Sequence, residues 1–155
     1  MNASSSSRSW PDLAGRLLPD SHILPVRIYF EDTDFSGVVY HGSYIRFMER
    51  ARSDYLRLLG VAHEALERGE HGEPLAFAVH KLVVEYRRPA RIDDILEIET
   101  RSKTVGGARI VLSQIVRRGD ESLVIAEVTV VMINHDGQAR RIPGPVRELL
   151  TGEPE

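Results

Sequence analysis

A carboxylate held on a glycine-containing turn just before a helix can attack, or activate water against, an acyl carbon whose oxygen points at the helix N-terminus. The stretch Tyr29-Phe-Glu-Asp-Thr-Asp-Phe-Ser-Gly-Val-Val-Tyr-His-Gly-Ser-Tyr44 has the residues for this. The first N–H groups of a helix lack intrahelical acceptors and, with the macrodipole, polarise a carbonyl oxygen aimed at them. Asp34 is the candidate nucleophile or general base. Gly37 supplies backbone freedom and room for a ligand, with Val38 beside it and Tyr40 as a pocket residue. On spacing alone, Asp32, Asp34 and Ser36 could equally cap the helix or hold the turn.

The elements that must position this turn are legible on both sides. Upstream, Val26, Ile28 and Phe30 alternate with Arg27 and Tyr29, the period of a half-buried strand. Downstream, Tyr44, Phe47, Met48, Ala51, Tyr55, Leu58 and Leu59 recur at helical spacing, with Arg46, Arg50, Arg52, Asp54 and Arg57 assigned largely to the other side. A second short helix is expected over Val61 to Arg68. Strands follow over Leu75 to Tyr86, Ile92 to Thr100, Ala108 to Val116 and Leu123 to Ile133, with Gly106-Gly107 and Gly119-Asp120 at hairpin turns. One long helix among about five strands predicts an α+β domain, an antiparallel sheet wrapped round the helix.

The chain has 155 residues, 42% of them hydrophobic, enough for one core and hardly two. A formal net charge of -3 gives no reason to expect a nucleic-acid surface. The absence of cysteine excludes disulfides, thiolate metal sites and a cysteine nucleophile. No apolar run reaches the length of a signal peptide or membrane span, so a cytoplasmic protein without a transmembrane segment is expected. Residues 1–21 read as a flexible extension with at most one helical turn around Leu13, Leu17 and Leu18; 22–150 as the catalytic domain; 151–155 as a tail.

Rival motifs weigh less. Asp32-Thr-Asp34-Phe-Ser36-Gly37 copies the opening of an EF-hand loop, but Ser43 stands where a bidentate Glu is needed and a strand pattern precedes it. No histidine pair has the HExxH arrangement, so no metal is expected. His22, His63, His71, His80 and His135 read as surface or loop residues.

From Leu24 to about Ile142 the chain resembles hotdog-fold acyl-CoA thioesterases of the 4-hydroxybenzoyl-CoA thioesterase type, most closely the Tol-Pal system-associated group. The resemblance rests on Tyr29-Phe-Glu-Asp-Thr-Asp34, Gly37-Val-Val-Tyr-His-Gly-Ser-Tyr44, Glu49-Arg-Ala-Arg52 and Val84-Glu-Tyr-Arg-Arg-Pro-Ala-Arg-Ile-Asp-Asp-Ile-Leu-Glu-Ile98. It implies that Asp34 is catalytic and that the backbone N–H of His41 donates to the thioester oxygen. It also implies no cofactor beyond the coenzyme A of the substrate, and a homodimer with sites at its interface, dimers pairing into a homotetramer. Another hotdog branch uses a helix glutamate; Glu49 is expected instead to pair with Arg52 or a nearby backbone group. The link to Tol-Pal describes a genetic neighbourhood and identifies no binding partner.

The substrate handle is thinner. Phosphates of coenzyme A need Lys or Arg, and where the benzoyl-CoA branch has several basic residues this chain offers Lys103 and Arg109, with Arg87, Arg88 and Arg91 as further options. That departure leaves a carrier-protein thioester open as substrate. Two other functions stand beside hydrolysis: a hotdog hydratase or dehydratase using the His41 ring with Asp34, although the hydratase signature is missing, and a non-catalytic adaptor in envelope or phospholipid metabolism.

Overall fold

A computed structural model describes residues 12–153; the serine run of the expected extension and the last two residues of the tail lie outside them. Strand β1 (Arg16–Leu17) and β2 (His22–Arg27) precede the long helix α1 (His41–Leu59) and the short α2 (His63–Glu67). Strands β3 (Ala76–Tyr86), β4 (Ile95–Val105), β5 (Arg109–Arg118) and β6 (Glu121–Ile133) follow, and α3 (Gly144–Thr151) closes the described chain. All strand pairings are antiparallel, in the order β1-β2-β4-β5-β6-β3.

That order explains why one helix suffices. After β2 the chain leaves the sheet, forms α1 and α2, and re-enters at the far edge as β3. The β4-β5-β6 meander then fills the gap between β2 and β3. The helix thus lies under a curled sheet and buries Ser43, Tyr44, Phe47, Met48, Ala51, Arg52, Tyr55 and Leu56, a three-four repeat along one face. Its first half packs with Leu24, Val26, Ile28, Leu96, Ile98 and Val124, its second half with Leu66, Leu75, Ile110, Leu112, Val128 and Val146. Gly60 ends it at φ 101°, a left-handed conformation that costs glycine little.

The expected α+β arrangement and all four later strands are present, with turns at Gly106-Gly107 and Gly119-Asp120. Arg52 is a correction: it sits on the buried face, 7% exposed, because it falls four residues after Met48 and three before Tyr55 in the apolar repeat. Two readings near the start of the chain are corrected: His22, read as a surface or loop residue, is fully buried in β2, and no helical turn forms around Leu17. Instead of a helical turn, Arg16 and Leu17 pair with Ile23 and His22, and a Cβ on Gly15 would lie 1.7 Å from Asp54 Oδ2. The chain reaches this close because Gly15 has no side chain. The helix α3, with Val146 and Leu150 buried, was not expected from the sequence.

Candidate active site

The turn between β2 and α1 is built by backbone hydrogen bonds that leave Asp34 facing solvent. Residues Phe30–Asp32 form one 3-10 turn, in which the buried Asp32 carboxylate accepts the Tyr29 N–H at 2.9 Å. The Asp32 carbonyl accepts the Tyr40 N–H at 2.9 Å and the Ser43 hydroxyl at 3.1 Å. Asp32 therefore does the holding, tying the turn to the first turn of α1. Asp34 N–H donates to Val38 O and Gly37 N–H to Asp34 O, each at 3.0 Å, and Gly37 sits at φ 86°, where any side chain is disfavoured.

The loop over residues 87–94 braces the turn from outside. Val39 N–H donates to Ala90 O at 2.9 Å, Ala90 N–H to the Tyr44 hydroxyl at 3.0 Å, Ile28 N–H to Asp94 O at 2.9 Å and Asp93 N–H to Ile28 O at 2.9 Å. Asp94 accepts the Arg91 N–H and the Arg118 guanidinium at 2.9 and 2.8 Å, and Arg118 also pairs with Glu121 at 2.8 Å. This network was not legible along the chain, since its members come from three separate strand ends.

Asp34 does not cap α1. Its Oδ1 accepts the Ser36 N–H at 2.9 Å and the Ser36 hydroxyl. The Ser36 hydroxyl and amide, with a smaller contribution from His41, hold its carboxyl below the ordinary aspartate range. An exposed carboxylate that stays ionised is suited to attack or proton abstraction. The helix start is open to match: Tyr40 makes no side-chain capping bond, and the first turn holds no acidic residue. Donors at His41 and Gly42 therefore remain for a ligand oxygen.

Aromatic rings wall this start. The His41 ring packs at a tilt against Tyr40 with centroids 4.4 Å apart and meets Tyr86 edge-on at 6.1 Å, while Tyr86 Oη donates to His41 O at 3.0 Å. Burial raises the Tyr44 hydroxyl pKa, and burial with the neighbouring Tyr40 raises that of Tyr86, so both remain protonated donors. The His41 ring makes no hydrogen bond to Asp34 among the described residues. A groove of about 250 Å³ here is lined by Val39, His41, Tyr44, Tyr86, Arg87 and Arg88. Tyr44 read as core in the sequence and Tyr86 as strand; only the fold brings them together.

Asp34, Gly37, Val38, Tyr40 and His41 are thus brought together in one chain, with Arg87 and Arg88 alongside. Lys103 and Arg109 are not. They flank the opposite end of the β4-β5 hairpin, and Lys103 pairs with Glu127 at 2.8 Å. The turn abuts the first residue of β4 and Lys103 is near its last, about 25 Å away at strand rise. Glu49 is exposed and forms no ion pair with Arg52 among the described residues. A cavity of about 560 Å³ lies elsewhere, between α1, α2, β3 and β6, and shares no lining residue with the turn.

Comparison with known proteins places this geometry. Residues 36–125 match the thioesterase superfamily. The acyl-CoA thioester hydrolase YbgC of Escherichia coli O157:H7 is 45% identical over 111 residues, which cover 71% of this chain and 80% of that protein. A crystal structure of a probable thioesterase from Bartonella henselae superposes with a TM-score of 0.77 at 43% identity, over 79% of this chain and 99% of that one. The structure of 4-hydroxybenzoyl CoA thioesterase from Pseudomonas sp. strain CBS-3 gives a TM-score of 0.74 at 25% identity, covering 84% and 99%. The architecture is the hotdog fold that these structures share.

Proposed function

Because the chain belongs to the thioesterase superfamily and is a thioester hydrolase, we propose that it splits acyl-coenzyme A thioesters into a carboxylic acid and free thiol, with Asp34 as the reacting carboxylate. The observation that carries this is the ionised, solvent-facing Asp34 on a turn bonded to an uncapped helix start. YbgC relatives at this identity support the acyl-CoA substrate.

With the thioester carbonyl oxygen at the N–H groups of His41 and Gly42, charge developing on that oxygen is stabilised by fixed donors and the helix dipole. Asp34 Oδ2 then either attacks the acyl carbon, expelling the thiolate and leaving a mixed anhydride for water to cleave, or takes the proton of a water that attacks. Tyr40 and Tyr86 flank the helix start on either side of the His41 ring. Arg87 and Arg88 are better placed than Lys103 and Arg109 to meet phosphates at the same chain's site, since they line its groove. Gly37 and Val38 shape the approach to Asp34. No cofactor takes part, and the same chemistry would act on a carrier-protein thioester.

Assembly and location complete the proposal. Edge strand β3 exposes Val79 at 51% and Val83 at 55%, the kind of apolar edge that a second copy covers; we therefore place the enzyme as a homodimer, with pairs of dimers forming a tetramer. No helix among the described residues is long and apolar enough to cross a membrane, and the proposed substrate puts the enzyme in the cytoplasm. A thiol-release assay over short, long and aromatic acyl-CoAs tests the activity. Release from none of them, with a folded protein, overturns it.

A further inference from the structure

Tyr86 reaches from the end of β3 to the first turn of α1 and bonds a backbone carbonyl there, its Oη donating to His41 O at 3.0 Å. The identity of that acceptor matters, because His41 C=O and Gly42 N–H belong to one peptide unit. The unit is planar and trans, so its oxygen and its N–H point in opposite directions. A donor that fixes the oxygen therefore also aims the N–H. Gly42 N–H is one of the two donors assigned above to the thioester oxygen, and as a first-turn amide it has no acceptor within the helix. In an α-helix the carbonyl of His41 also accepts from the residue four positions on, so the phenol is a second donor to the same oxygen. Hydrogen bonds in series polarise one another, by roughly 10–30% per bond, which leaves the N–H at the far end a stronger donor.

The hydroxyl is held in place from both ends. Tyr86 is the last residue of β3, opposite Val124 of β6, and Arg87 and Arg88 after it both donate their N–H to Leu123 O, at 2.8 and 3.2 Å. Its ring meets His41 edge-on and packs at a tilt on Tyr44 with centroids 5.8 Å apart. Burial and the neighbouring Tyr40 raise its pKa, so the phenol stays a donor through neutral pH. From the other side the Tyr40 ring closes on the same peptide: a Cβ on residue 42 would lie 2.5 Å from Tyr40 Cε2, an approach that glycine permits. We propose that Tyr86 is a positioning residue for thioester hydrolysis, its hydroxyl orienting and polarising the His41-Gly42 peptide so that Gly42 N–H meets the charge developing on the substrate's carbonyl oxygen. This role rests on the helix start receiving the thioester oxygen, as proposed above.

Tyr86→Phe keeps the ring contacts and removes only the hydroxyl. Single-turnover hydrolysis with enzyme in excess, on the acyl-CoA that the parent splits fastest, separates the chemical rate from the half-saturating enzyme concentration. The rate should fall about fivefold, the reach of one lost hydrogen bond, with half-saturation changed by less than about twofold. The bound carbonyl is read without turnover by infrared difference spectroscopy of the dethia analogue of that acyl-CoA, in which a methylene replaces the sulfur and the carbonyl is isotope-labelled. In the parent its band should lie below its position in water, and Tyr86→Phe should move it back upward. A rate within about twofold of the parent, or a loss carried by half-saturation alone, overturns the role of Tyr86. So does a band that Tyr86→Phe leaves in place, whatever the rate. A parent band no lower than in water rejects the helix start as the oxyanion site, and the role of Tyr86 with it. An active Asp34→Asn variant removes Asp34 alone, since the band reports the helix start and not the carboxylate; the readings thus fail separately.

Discussion

Ser36 gives both its backbone N–H and its hydroxyl to one oxygen of Asp34, Oδ1, so Oδ2 is the oxygen that the proposed attack would use. This pairing keeps the carboxylate ionised and fixes its rotamer on an otherwise exposed turn. It also makes the chemistry of Asp34 separable from the fold, because the core does not depend on that side chain.

Asp34→Asn keeps the shape and can still accept from Ser36 N–H, but has no charge for attack or proton abstraction. The expected loss in kcat is about 10²–10⁴-fold, with an unchanged circular dichroism melt. Asp32→Asn should cost less activity and more stability, since Asp32 holds the turn through Tyr29. Hydrolysis by Asp34→Asn within a few-fold of the parent removes Asp34 from the mechanism.

The pH profile follows from the same bonds. With its folded pKa below the ordinary value, Asp34 stays charged through neutral pH, so kcat/KM should fall only on the acid side, below the usual aspartate range. Ser36→Ala removes the largest lowering contribution while retaining the amide. The acid limb should then move upward in pH, measurable as a shift in the kcat/KM profile at constant ionic strength.

His41→Ala separates ring from backbone. The main-chain donor remains and the ring contacts with Tyr40 and Tyr86 go, so a loss of roughly tenfold or less is expected, well short of that for a removed oxyanion donor. A defect equal to that of Asp34→Asn, with folding intact, would assign the ring a direct part.

A half-buried carboxylate, Asp54, sets acid stability elsewhere on the helix. Burial pushes the Asp54 carboxyl up, but hydrogen bonds from Arg57 and His22, at 2.6 and 2.7 Å, outweigh it and leave the pKa lowered. A depressed folded pKa means that the contribution is complete above the unfolded aspartate value and disappears as pH falls through the folded one. Asp54→Asn should lower stability at neutral pH by about 1–3 kcal/mol and flatten the acid dependence of urea unfolding. Gly15→Ala should also destabilise, because its Cβ would collide with the same carboxylate.

Val83→Glu places a charge on the exposed face of edge strand β3. The parent is expected to run as a dimer or tetramer by light scattering, and the variant to shift toward monomer with reduced specific activity. A fully active monomeric parent contradicts the shared site.

The strand-turn-helix junction, the four long strands and Asp34 as the candidate carboxylate were legible in the amino-acid order alone, because these are carried by local period and by residues adjacent along the chain. It misplaced Arg52, since a charged residue inside an apolar repeat reads as solvated until a buried acceptor such as Gln114 is known to face it. It did not anticipate the order β1-β2-β4-β5-β6-β3, the pairing of Arg16 and Leu17, or the packing of α3 against the second half of the core. Nor could it bring Tyr86 to His41 or separate Lys103 from the turn. Those relationships join residues tens of positions apart, and only the curl of the sheet around α1, set by long-range packing and register, decides which of them meet.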